Sequence, residues 1–90
     1  MYFVYVLLST KRPYIYVGLT NNLERRIRQH QGGSEKTTAP YRPFQIILTE
    51  TYTTRIHARQ REKYLKSGVG KEYLKAIAES FGQVAEWQTR

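Results

Sequence analysis

Tyr5, Tyr16, Arg26, His30 and Glu62 are the side chains of this sequence whose types and spacing could do chemistry. A phenol can orient or deprotonate water, a guanidinium can hold an oxyanion, an imidazole moves protons near neutral pH, and a carboxylate can hold a cation. Tyr5 and Tyr16 stand in two β-branched, aromatic runs, Tyr2–Leu8 and Tyr14–Val17. If Ser9–Arg12 is the turn between them, residues whose numbers sum to 21 face each other. The two tyrosines would then be a cross-strand pair on one sheet face, with Cβ atoms ~5 Å apart. Two core aromatics with their hydroxyls at the edge are the simpler reading of that pattern alone.

Arg26 and His30 are four apart in Arg25-Arg26-Ile27-Arg28-Gln29-His30, so on a helix they share a face. That face borders the apolar stripe Leu23, Ile27, and a guanidinium near the core side needs a carboxylate or a phosphate. A solvated basic face with a packed histidine fits equally well. Glu62 falls on the stripe Ala58, Glu62, Leu65 of an otherwise basic segment carrying Arg55, Arg59, Arg61, Lys63 and Lys66. An acid on an apolar stripe must be compensated by a cation or a metal. A surface glutamate paired with Arg59 or Lys66 is the alternative.

Ninety residues make one small domain, and 15 Lys+Arg against 7 acids give a net charge of +8. A basic excess of this size on a small domain suits nucleic acid. All the acids are glutamates, and there is no Asp and no Cys. Disulfide scaffolds, Cys-ligated zinc, thiol nucleophiles and Asp-rich calcium loops are therefore excluded. The two histidines, His30 and His57, have no metal-pair spacing, and neither Gly32-Gly33 nor Gly68–Gly70 is followed by the Lys-Ser/Thr of a phosphate-cradling loop. No signal peptide or membrane span is expected, and a cytoplasmic location is the default.

The elements that must position these residues can be read from pattern. Tyr2–Leu8 does not alternate and reads as a central strand buried on both faces. Pro13 opens a second strand, Tyr14–Val17, closed by Gly18. Asn21 is expected to cap a helix, with Glu24 completing a capping box, and Gly32-Gly33 to end it near Gln31. Residues 33–43 form a loop. Phe44 to Tyr52 is a third strand, Thr54 to Lys66 a second helix ended by Ser67-Gly68, and Lys71 to Phe81 a third with Leu74, Ile77, Ala78 and Phe81 on one face. The order ββαβαα predicts an α+β domain over residues 1–81, a three-stranded antiparallel sheet with helices packed on it. Residues 82–90 are left as a C-terminal tail, either helical or disordered.

Together, Phe3-Val4-Tyr5, Tyr16-Val17-Gly18, the run Thr20–Gly33, Tyr41–Phe44 and Ala58–Lys66 resemble the GIY-YIG nuclease superfamily, above all its small standalone bacterial members. Phe3 departs from the glycine of the name-giving motif, and Val4 and Val17 replace isoleucine. The resemblance implies a phosphodiester-cleaving endonuclease with Tyr5, Tyr16, Arg26, His30 and Glu62 as functional positions and Gly18 as a structural glycine. It implies one divalent metal, Mg2+ or Mn2+, with Glu62 as its protein ligand. Tyr5 is then the expected base, Tyr16 an orienting group, and His30 either a support for Tyr5 or the proton carrier. Arg25, Arg28, Lys36, Arg42 and Lys66 are candidates for flanking phosphate contacts. DNA is the expected partner, with RNA as an alternative substrate. Without a groove-reading module, structure-selective or weakly sequence-specific cutting in repair or recombination is expected, or delivery by a partner protein. The reading from a different class is a nucleic-acid binding module with little or no catalysis.

Overall fold

A computed structural model describes residues 1–81, and the expected tail 82–90 lies outside the described residues. The chain runs β1 (Tyr2–Ser9), β2 (Ile15–Thr20), α1 (Leu23–Gly32), a short 3-10 helix (Ala39–Tyr41), β3 (Phe44–Tyr52), α2 (Arg55–Lys66) and α3 (Gly68–Ser80). The three strands form one antiparallel sheet in the order β2-β1-β3. β1 is the central strand, which is why its run is apolar on both faces: Val4 through Leu8 are all fully buried.

Alternation along β1 divides the core into two layers. Val4, Val6 and Leu8, with Val17 and Ile47, pack against Ala58 and Leu65 of α2 and Leu74 and Ala78 of α3. Tyr5 and Leu7, with Phe44, point the other way, toward Tyr14, Tyr16, Leu23 and Ile27 of the α1 side and Tyr41 of the 3-10 helix. A register shift between Val6 and Leu7 leaves Ile47 as the extra residue on β3. That bulge turns Ile47 to the α2 layer while Ile46 stays exposed.

Several local expectations are corrected. The β1–β2 turn is Thr10–Pro13, closed by the Ser9 amide on the Tyr14 carbonyl, one position later than expected. Ser9 Oγ accepts from the amides of Lys11 and Arg12 and so shapes that turn. The displaced turn pairs Tyr5 with Gly18 and Leu7 with Tyr16. The slip is two residues rather than one, so both tyrosines keep the same face as diagonal neighbours. Gly18 does not close β2 but lies inside it. Asn22, not Asn21, caps α1, accepting from the Arg25 amide at 3.1 Å. With the cap displaced, Glu24 pairs with Arg28 across one helical turn instead of closing a capping box. Ser67 both ends α2 and caps α3, so α3 starts at Gly68, earlier than Lys71. Gly70 makes that sharp junction possible, because a Cβ there would strike the Leu65 and Tyr64 backbone. Phe81 is 41% exposed, outside the core that its helical spacing suggested.

Gly18 has a specific steric reason. A Cβ at this position would overlap the Cζ and Oη of Tyr5, whose hydroxyl is itself held in a buried hydrogen bond. Gly18→Ala is expected to destabilise the fold by about 1–3 kcal/mol through overpacking. A urea unfolding midpoint equal to that of the parent protein would show that the ring can move aside freely.

Candidate active site

On the α1 side of the sheet, β1, β2 and α1 bring Tyr5, Tyr16, Arg26 and His30 together. The Tyr5 and Tyr16 ring centroids are 6.2 Å apart, and His30 lies 5.7 Å from Tyr5 and 4.9 Å from Tyr16. His30 is completely buried at the last turn of α1, where Gly33 ends the helix with a positive φ of 82°. Its Nε2 is 2.8 Å from the Tyr5 hydroxyl, and its Nδ1 is 2.7 Å from Oγ1 of Thr38, also fully buried. Thr38 in turn donates to the Glu35 carbonyl at 3.4 Å.

The protons follow once the Thr38 hydroxyl is taken to donate to the Glu35 carbonyl, at 3.4 Å the longest contact of the three. Thr38 has one hydroxyl proton, and the Glu35 carbonyl can only accept. With that proton on the carbonyl, Oγ1 accepts from His30, so Nδ1 carries the imidazole proton. Nε2 is then an acceptor, and Tyr5 donates to it. The electrostatics agree. Burial pushes the Tyr5 hydroxyl well above the ordinary phenol range, Tyr16 adds to this, and Arg26 offsets only part of it. Burial, and then the positive charge of Arg26, lower the His30 pKa below 6.5. Tyr5 keeps its proton and His30 stays neutral. The shift at Tyr5 runs opposite to what an ionised phenol base requires, and the ring is fully buried. Tyr16 is only half-buried and is the phenol nearer solvent.

Arg26 meets its requirement for an anion through Glu35, at 2.9 Å, with Gln29 accepting a second bond at 3.0 Å. Both members of the ion pair are 29% exposed, so a phosphate can reach the guanidinium. The hydrogen bond from Arg26 holds the Glu35 carboxyl below its ordinary range, overcoming a smaller desolvation effect. Glu35 and Thr38 were not singled out in the sequence. Glu35 looked like one more scattered acid and Thr38 one more loop residue, because their roles depend on how residues 33–43 fold back on α1. That loop is anchored by Gln31, whose side chain bonds both the amide and the carbonyl of Phe44 at 2.9 and 2.7 Å, and by Tyr41 stacked 3.7 Å from Tyr14.

Glu62 sits in the other layer, on α2. It is 6% exposed, as the stripe Ala58, Glu62, Leu65 predicted, yet it is also paired as the alternative reading required. One carboxylate oxygen accepts from Arg59 at 2.6 Å and the other from Lys66 at 3.0 Å. Burial alone would raise the Glu62 pKa, but these two cations together bring it below the usual carboxylate value. Successive helical residues are turned by about 100°. Arg61 and Glu62 therefore fall on either side of the Ala58–Leu65 contact line. Arg61 reaches Glu50 on β3 with two bonds of 2.9 and 3.1 Å. Glu62 accordingly lies on the flank of α2 away from the Arg61–Glu50 contact. Among the described residues no group of three or more His, Cys, Asp or Glu side chains could hold a metal. An ionised single carboxylate whose partners are half-exposed cations fits only a water-rich divalent ion that takes one protein ligand and substrate phosphate.

The candidate phosphate contacts are all exposed. Arg25 and Arg28 lie on the solvent side of α1. Lys36 is on the following loop, Arg42 leans over Gly33, and Lys66 is on α2.

With this geometry in place, comparison with known proteins defines the class. Residues 1–74 match the GIY-YIG catalytic domain, and the chain belongs to that family of nucleases. Among its relatives is UPF0213 protein CPE1444 of Clostridium perfringens, 34% identical over 79 residues that cover 87% of this chain and 84% of the relative. Another is UPF0213 protein NP_0776A of Natronomonas pharaonis, 37% identical over 67 residues, 73% of this chain and 78% of the relative. The solution structure of UPF0213 protein BH0048 from Bacillus halodurans superimposes with a TM-score of 0.52 at 30% identity, covering 86% of this chain and 85% of that one. Among the described residues no helix is long and apolar enough to cross a membrane.

Thr38→Val keeps the shape but removes the hydroxyl. Nitrogen-15 NMR of His30 should then show loss of the single Nδ1–H tautomer, whereas Thr38→Ser should retain it; an unchanged tautomer in Thr38→Val would contradict the proton assignment. His30 also links stability to pH. Its folded pKa lies below 6.5, so the unfolded chain binds the proton more readily. Its contribution is complete above pH ~6.5 and is lost as pH falls from there through the folded value. Urea midpoints measured from pH 7.5 to 4.5 should decline in that window less steeply in His30→Gln than in the parent protein.

Proposed function

We propose that this chain is a metal-dependent endonuclease that hydrolyses phosphodiester bonds in DNA with little sequence preference. The buried Tyr5–His30–Thr38 chain carries this reading, because it backs Tyr16 and Arg26 with a neutral imidazole whose Nε2 is hydrogen-bonded to the Tyr5 phenol. Arg26 leaves Glu35 for the scissile phosphate, and its permanent charge stabilises the oxygens that become more negative in the transition state. Tyr16 orients the attacking water. The proton lost by that water passes by way of the phenols to His30 Nε2, and Glu35 favours the resulting imidazolium. Glu62 is the residue that would hold Mg2+ or Mn2+. An ion bound there supplies charge stabilisation for the leaving oxygen and the phosphate.

The net charge of +8 and the exposed Arg25, Arg28, Lys36, Arg42 and Lys66 favour contacts to phosphate rather than to bases. Such contacts suit branched or flapped DNA of the kind met in repair and recombination, where shape replaces sequence.

Labelled duplex, single-stranded, flap and branched DNA, with RNA alongside, should be incubated with Mg2+ or Mn2+. Cleavage of DNA is expected, abolished by EDTA and by Glu62→Gln, and reduced ~10²–10³-fold by Arg26→Ala. Binding without cleavage on every substrate would favour a nucleic-acid binding module instead, and cleavage of RNA alone would reassign the substrate. Undiminished cutting in both variants would remove these residues from the site.

A further inference from the structure

Apart from the outward-facing Ile56, the flank of α2 beside Glu62 is occupied by cations. Arg55, Arg59, Lys63 and Lys66 recur at helical spacing on that side of the Ala58–Leu65 line, and all four are exposed. The opposite flank carries His57, Gln60, Arg61 and Tyr64, where Arg61 is neutralised by Glu50 and lies 5.2 Å over the Tyr64 ring. The positive charge of this helix is thus concentrated where the carboxylate is. Two of the flank's members, Arg59 and Lys66, each hold one oxygen of Glu62, and their side chains remain 55% and 51% exposed.

We propose that this flank is a phosphate track, and that Arg59 and Lys66 latch Glu62 until a nucleic-acid backbone draws them away and frees the carboxylate for the divalent ion. The inference rests on the role of Glu62 under Proposed function and adds to it the order of events. A cation at each oxygen competes with a metal for the same lone pairs, and its positive charge repels a divalent ion at contact distance. A phosphate offers Arg59 a bidentate partner of equal charge and greater reach than the recessed Glu62. Nucleic acid and metal then bind with positive coupling, and by linkage each tightens the other by the same factor. The free protein holds its metal weakly, and the site is completed on substrate.

The test is Mn2+ affinity of the whole chain, read from the EPR signal of free Mn2+, with and without a non-cleavable phosphorothioate oligonucleotide. Arg59→Gln/Lys66→Gln should bind Mn2+ roughly fivefold more tightly than the parent protein without oligonucleotide, the sum of two modest ion pairs. It should also lose most of the tightening that the oligonucleotide causes in the parent. Arg55→Gln/Lys63→Gln removes the same charge from the same flank without touching Glu62. It should leave metal affinity in the absence of oligonucleotide nearly unchanged while weakening oligonucleotide binding. Equal Mn2+ affinities in the two double variants would overturn the latch, as would coupling that persists in Arg59→Gln/Lys66→Gln. Glu62→Gln separates the two levels. If Mn2+ binding survives it, the metal assignment fails and the latch with it. If Glu62→Gln abolishes binding and the double variants do not differ, the latch alone fails.

Discussion

The buried hydrogen bond between Tyr5 and His30 is the constraint on which the rest of the structure depends. It joins the central strand to the end of α1 across the sheet face, and it takes two polar groups out of water. Each must then be satisfied. His30 needs a partner for its second nitrogen, which Thr38 supplies, and Thr38 needs one for its own proton, which the Glu35 carbonyl supplies. The loop between α1 and β3 is accordingly folded back on α1 and clamped by Gln31 and Tyr41. Gly18 is required on the neighbouring strand because the Tyr5 ring fills the space that a side chain would take. A half-satisfied version of this network would be worse than an apolar core.

The two acids near the candidate site act in the same manner. Glu35 holds Arg26, and Glu62 is held by Arg59 and Lys66. In a chain with 15 Lys+Arg and 7 acidic residues, these carboxylates supply the anions that clustered cations need. Each pair holds its cation near one position in the free protein, where an unpaired side chain would sample several rotamers. Partial exposure of each pair leaves room for exchange, whereas a fully buried ion pair would lock the cation away from its substrate.

The fold was largely legible because its signals are local. The non-alternating run of β1 and the Ala58, Glu62, Leu65 stripe report burial directly through hydrophobic period, and Gly32-Gly33 mark the end of α1. Errors arose where several residues could serve one local purpose. Asn21 and Asn22 are equally good caps, and only the helix axis chooses between them. A four-residue turn can begin at Ser9 or at Thr10, and the Ser9 side chain decides by accepting two turn amides. Gly68 resembles a helix stop, but Ser67 turns the chain so sharply that the glycine opens the next helix instead.

By itself the sequence determined the α+β order, the two-faced central strand, a shared sheet face for Tyr5 and Tyr16, and a shared helix face for Arg26 and His30. It could do so because strand and helix periods assign each side chain a face without knowledge of its neighbours. Only the tertiary structure decided the hydrogen-bond partners of Tyr5 and His30 and the partner of Arg26. Those depend on distances between segments that the chain brings together from far apart: His30 on Tyr5, Thr38 on His30, Glu35 on Arg26. It also placed Glu62 in the layer opposite the tyrosines, because α2 packs its Ala58–Leu65 stripe on the other face of the sheet, an arrangement between segments that no local pattern encodes.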